Sequence, residues 1–140
     1  MITVGKMMSI TMRAALFGSA LSALLFALPS ADGVAAPKGD DDPGKLLYNN
    51  SCRTCHSVGA GDNRLGPNLA NIVGREAGAA EGYTYSSALK SAEFEWTPEK
   101  LDAFIANPDA VVPGHNMKPY TGIADAGQRK ELIDYLKNPG

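Results

Sequence analysis

Cys52-Arg53-Thr54-Cys55-His56 is the stretch that decides the fold, because its residue types and spacing ask for one particular chemistry. CxxCH is the pattern of c-type haem attachment. Two thiols three positions apart on one helical turn can each add to a porphyrin vinyl group, and the adjoining His56 then lies under the iron with Nε2 free to ligate it. Six-coordination needs one more donor, which in c-type carriers is usually a Met sulfur. Of the 5 Met in the chain, only Met117 lies beyond the leader described below. It sits in Val112-Pro113-Gly114-His115-Asn116-Met117, a Pro/Gly-bounded loop. The residues therefore point to a small electron carrier with one haem c anchored by Cys52 and Cys55, and with its iron held by His56 and Met117.

Other uses of two cysteines fit less well. A structural zinc site would need two further ligands at compact spacing, and the sole other imidazole is His115. A thioredoxin-like dithiol asks for a βαβ setting, whereas these flanks read as helix and Gly-rich loop. A plain disulfide is chemically possible in an oxidising compartment, but it would leave His56, Met117 and the leader as separate coincidences.

The leader is the run from Ala14 to Leu28, preceded by Lys6 and Arg13 and followed by small residues ending in Val34-Ala35-Ala36. This reads as a cleavable secretory signal peptide over 1–36, and hence as export to the periplasm. An uncleaved anchor is the competing reading, although the run is short of the roughly 20 apolar residues a spanning helix needs. Setting 1–36 aside leaves 11 basic and 14 acidic residues, a net −3, which argues against a nucleic-acid partner. Much of the 44% hydrophobic content belongs to the leader. The mature domain is correspondingly polar and needs the haem to complete its core, so chain lacking haem is expected to be largely unfolded.

Residues 37–42 form a polar arm ending in Asp40-Asp41-Asp42, and residues 43–138 form the domain. Asp42 before Pro43 fits a helix N-cap with Pro at the first position. The spacing predicts a helix from Pro43 to about Cys55, with Gly44, Tyr48 and Cys52 on one stripe. Gly44 makes sense there if another backbone must approach closely. A Gly-rich loop follows to Gly66-Pro67, where Pro67 either stiffens a turn or offers its carbonyl to His56 Nδ1. Tyr83, Tyr85 and Trp96 are polar-tipped aromatics that form ordinary core edges or suit haem propionates, for which Arg75 can supply charge-assisted bonds. Thr97-Pro98 opens a second helix closed by Pro108, and Asp125-Ala126-Gly127-Gln128 caps a third. Alternating runs of strand length are missing, so an all-α fold with long loops is expected.

Together these residues resemble class I cytochrome c, the mitochondrial type and its bacterial soluble relatives, across nearly all of 43–137. The matched features are CRTCH, GPNL at 66–69, VGR at 73–75, GYTY at 82–85, Trp96, Asn107-Pro108, the PGxxM ending at Met117, and ELIDYL at 131–136. The resemblance implies the cytochrome c fold: three main helices plus short ones and long loops around one covalently bound haem. It also implies that Gly44 and Tyr48 cross Leu132 and Tyr135, that the Pro67 carbonyl receives the His56 bond, and that Arg75, Tyr85 and Trp96 surround the propionates. The chain departs from the family in three places. Phe104 stands where mitochondrial members carry a Tyr whose hydroxyl approaches the Met sulfur. His115 replaces a Thr that helps hold a propionate, and is expected to face solvent or a propionate. One extra residue lies between Met117 and Gly122.

By the same resemblance the chain is a monomeric one-electron carrier and not an enzyme, meeting a membrane only through its partner complexes. Those partners would be a bc-type complex, a dehydrogenase or a photosynthetic reaction centre, and a terminal oxidase of a respiratory chain. The lysine ring that docks mitochondrial members is thin here, so docking is expected to be weakly electrostatic. Two rivals stay open: a peroxidase-like or gas-sensing haem protein with an exchangeable sixth site, and a carrier with His56/His115 ligation.

Overall fold

The computed structural model describes residues 41–140. The leader expected over 1–36, and the 37–42 arm except for Asp41 and Asp42, lie outside the described residues. Asp42 caps the first helix: its Oδ1 accepts from the Gly44 N–H at 2.8 Å and the Lys45 N–H at 3.4 Å. Pro43, with no N–H to satisfy, takes the first helical position.

The elements in chain order are α1 (Pro43–Ser51), α2 (Ser87–Lys90), α3 (Pro98–Ala106), α4 (Pro108–Val111) and α5 (Ala126–Lys137). This is the expected all-α class, three main helices with short ones between. Among the described residues there is no strand, and an isolated antiparallel bridge joins Glu76 to Glu95. Around it the Ala77 N–H donates to Phe94 O and the Trp96 N–H to Arg75 O, both at 2.9 Å, which ties the Arg75 loop to Trp96. No described helix is long and apolar enough to cross a membrane.

The first helix is shorter than its spacing predicts, ending at Ser51 and not near Cys55. Asn49, Asn50 and Ser51 have side chains that compete for backbone hydrogen bonds. At Cys52 the backbone turns to φ −122°, and the Cys52 and Arg53 N–H groups both share the Tyr48 carbonyl at 2.9 Å. CRTCH is therefore a separate turn at the foot of α1. The Cys52 carbonyl accepts from Cys55 N–H at 3.0 Å and from His56 N–H at 2.9 Å. Pro108 likewise does more than close α3: it opens α4, with the Asn107 side chain as its cap.

The last helix is the one the others lean on. α5 packs against both α1 and α3, and Leu132, 1% exposed, is the most enclosed large side chain. A Cβ on Gly44 would collide with the Glu131 carbonyl and fall 2.7 Å from Tyr135 Cβ, so this position needs glycine for close approach. One turn on, the Tyr48 and Tyr135 rings meet at 5.5 Å. At the other side of α5, Arg129 Nε donates to Asp102 of α3 at 2.7 Å.

Candidate functional site

A cavity of about 330 Å³ opens beside these helices. Its wall contains all eight residues to which the sequence points: Cys52, Cys55, His56, Pro67, Arg75, Tyr85, Trp96 and Met117. Leu69, Ile72, Leu101, Phe104 and Leu132 make the rest of the wall largely apolar. Cys52 and Cys55 are half-buried free thiols, and burial, with the Cys55 charge adding, pushes the Cys52 thiol up to about 11.

His56 is held on three sides. Its Nδ1 lies 2.8 Å from the Pro67 carbonyl, which fixes the proton on Nδ1 and leaves Nε2 with a free lone pair. Tyr48 donates its hydroxyl to the His56 main-chain carbonyl at 2.8 Å, so the α1–α5 contact is tied to the backbone that carries the imidazole. Gly66 forms the third side: a Cβ there would lie 2.7 Å from Nδ1 and closer still to Cε1. Burial pulls the His56 pKa below the ordinary histidine value, with the Arg75 charge adding and the Pro67 bond opposing. The ring is thereby kept in its neutral, ligating form.

Arg75 reaches the cavity from its loop. Its guanidinium donates to Asn68 O at 2.8 Å and Ala70 O at 3.1 Å, and its Nε is buried without a partner. Burial lowers its pKa while Tyr85 opposes, and a guanidinium stays charged through such shifts. A buried cationic donor with no acceptor is suited to an anionic group in the cavity. Tyr85 accepts from the Ala80 N–H at 3.3 Å and meets the Tyr83 ring edge-on at 4.8 Å.

Met117 is half-buried, and the loop around it is tied down at several points. His115, expected to face solvent or a propionate, does neither: it is 3% exposed and absent from the cavity wall. Its Nδ1 accepts the Met117 N–H at 2.9 Å, because the loop folds the ring inward against Phe104 at 5.7 Å. Beyond Met117, Tyr120 lines the cavity and donates its hydroxyl to Ile105 O at 2.9 Å. Sequence reasoning passed over Tyr120 and Gly66. The close GPNL match was a signal for Gly66, and nothing local marked Tyr120. Lys118, which lines the cavity, is paired with Asp109 at 2.5 Å.

These residues fit a haem. Two thiols, a neutral oriented imidazole and a thioether share one apolar cavity, and a buried guanidinium N–H there lacks an acceptor that a propionate would supply.

Comparison with known proteins gives the same answer. A family model described as cytochrome c matches residues 42–139. Cytochrome c2 of Rhodopila globiformis is 40% identical over 103 residues, 74% of this chain and 96% of that protein. Cytochrome c-type cyt cy of Rhodobacter capsulatus is 39% identical over 98 residues, which is 70% of this chain but only 48% of that protein. The solved structure of cytochrome cH from Methylobacterium extorquens aligns with a TM-score of 0.63 at 36% identity, covering 71% of this chain and 98% of that one.

Proposed function

Because this chain belongs to the cytochrome c family, electron carriers that bind haem c covalently through two cysteines, we propose that it is a periplasmic one-electron carrier with His56 and Met117 as axial ligands. The observation that carries this reading is the meeting of Cys52, Cys55, His56 and Met117 in the wall of one apolar cavity. The haem, when bound, supplies an iron that takes up and gives back one electron. Pro67 holds the imidazole and Tyr48 the backbone of His56, so the ligand need not reorganise between oxidation states. Trp96, Phe104, Ile72 and Leu69 exclude water, and an apolar wall disfavours added positive charge inside it. Together with a Met sulfur this sets a positive reduction potential. The unpartnered Nε of Arg75, a residue of the cavity wall, supports a role for that side chain in receiving a propionate. Since His115 is outside the cavity wall, the arrangement favours Met117 as the second ligand.

The leader in the sequence supports export. Donors such as a bc-type complex, a dehydrogenase or a reaction centre, and an oxidase as acceptor, suit a carrier of this kind. The purified protein should give a pyridine haemochrome spectrum and a near-infrared Met-to-iron band that Met117→Ala abolishes. A colourless product with both thiols free overturns the carrier reading. A clearly negative potential overturns Met117 as ligand.

A further inference from the structure

We propose that His115 is a positioning residue for the Met117 ligand, holding the backbone of the loop so that the thioether is presented to the iron. The inference rests on the reading of Met117 as ligand. Three observations carry it. The His115 side chain is fully enclosed although it lies in a loop, and a buried ring nitrogen costs free energy unless a partner uses it. Its Nδ1 is used by the N–H of Met117 itself, at 2.9 Å, so the neutral ring carries its proton on Nε2. That Nε2 lies 3.3 Å from Asp109 Oδ1 without being aligned for a hydrogen bond, while Asp109 Oδ2 receives Lys118 Nζ at 2.5 Å.

Asp109 thus stands between His115, two residues before Met117, and Lys118, the residue after it. The Met117 backbone is gripped from its N-terminal side by the ring, and the next residue is tethered to the same carboxylate. Phe104 sharpens the need for this grip. It lines the cavity and has no hydroxyl to offer a thioether, so restraint of the sulfur has to come through the loop backbone. A Thr at position 115 would be too short to place an acceptor where Nδ1 stands and still fill the space against the Phe104 ring.

The test uses the haem-loaded full chain titrated with imidazole, which competes for the Met position, with the near-infrared band and the reduction potential as readouts. His115→Leu frees the Met117 N–H and should raise the apparent imidazole affinity about tenfold, the equivalent of one buried hydrogen bond, and weaken the band. His115→Asn places Oδ1 where Nδ1 stood and should return both toward the wild type. If the Leu form does not load haem, His115→Gln takes its place, since its polar atoms lie one bond further out. A role in packing alone would lower thermal stability in all variants without separating their imidazole affinities, and that result overturns the proposal. So does wild-type imidazole binding by the Leu or Gln form. A wild-type protein without the band sinks the Met117 reading first, and this proposal with it.

Discussion

Gly44 and Glu131 are so close that the glycine Cα faces the glutamate carbonyl with no room for a methyl group between them. Alanine would favour the helix at position 44 by about 1 kcal/mol. Overlap with a backbone carbonyl that cannot swing aside costs up to about 3 kcal/mol or more, so the clash wins. Gly44→Ala should lower the stability of the loaded protein by roughly 2 kcal/mol, and for a domain of this size the melting temperature by about 10 °C. Unchanged denaturant midpoints would show that α1 and α5 can slide apart without loss.

A second prediction concerns Gly66, whose missing side chain leaves space for the His56 ring. Gly66→Ala should push the imidazole away from the Pro67 carbonyl and cost about 1–3 kcal/mol. The change should appear as a shifted Soret maximum and a lower haem content per chain. Ala at a position remote from the ring, such as Gly127, serves as the comparison.

Tyr120 gives a pH dependence with a definite sign. Burial, with Cys52 adding and Arg129 opposing, pushes its phenol up to about 12, against about 10 in an unfolded chain. A raised acid pKa means the fold prefers the neutral hydroxyl, the form that donates to Ile105 O. Its contribution is complete below the unfolded pKa and disappears as pH rises from there through the folded value. Wild type should therefore exceed Tyr120→Phe by about 1 kcal/mol near neutrality, with the gap closing between pH 10 and about 12. A gap that persists to the top of that range removes Tyr120 as the titrating group.

Withholding the haem tests how far the core depends on it. Without the haem a largely apolar cavity of about 330 Å³ is left to water, and the burial forfeited there is a large loss for a domain whose net stability is small. Chain expressed without haem attachment should show weak helical circular dichroism and no cooperative thermal transition. A sharp melt would mean the helices close the cavity by themselves.

What the sequence made legible was mostly what is local. Asp42-Pro43, Thr97-Pro98 and Asp125 each announce a helix start within four residues, and each side chain caps where expected. The eight residues expected around a haem lie in one cavity wall; CxxCH marked Cys52, Cys55 and His56 locally, whereas the gathering of Pro67, Arg75, Tyr85 and Trp96 around them was legible through the family resemblance. The end of α1 was misjudged, since apolar spacing continues through Cys52 while the Asn-Asn-Ser run quietly ends the helix. His115 was misplaced for a different reason. A polar residue in a Pro/Gly loop reads as exposed, and only the fold shows that Phe104 and Asp109, distant by several residues, enclose it.

The pairing of α1 with α5 also sets an order of assembly. Both contacts between main helices among the described residues, α1–α5 and α3–α5, involve α5. Neither can close before α5 is present, so the two helices share one partner and should be lost together when that partner is unfolded.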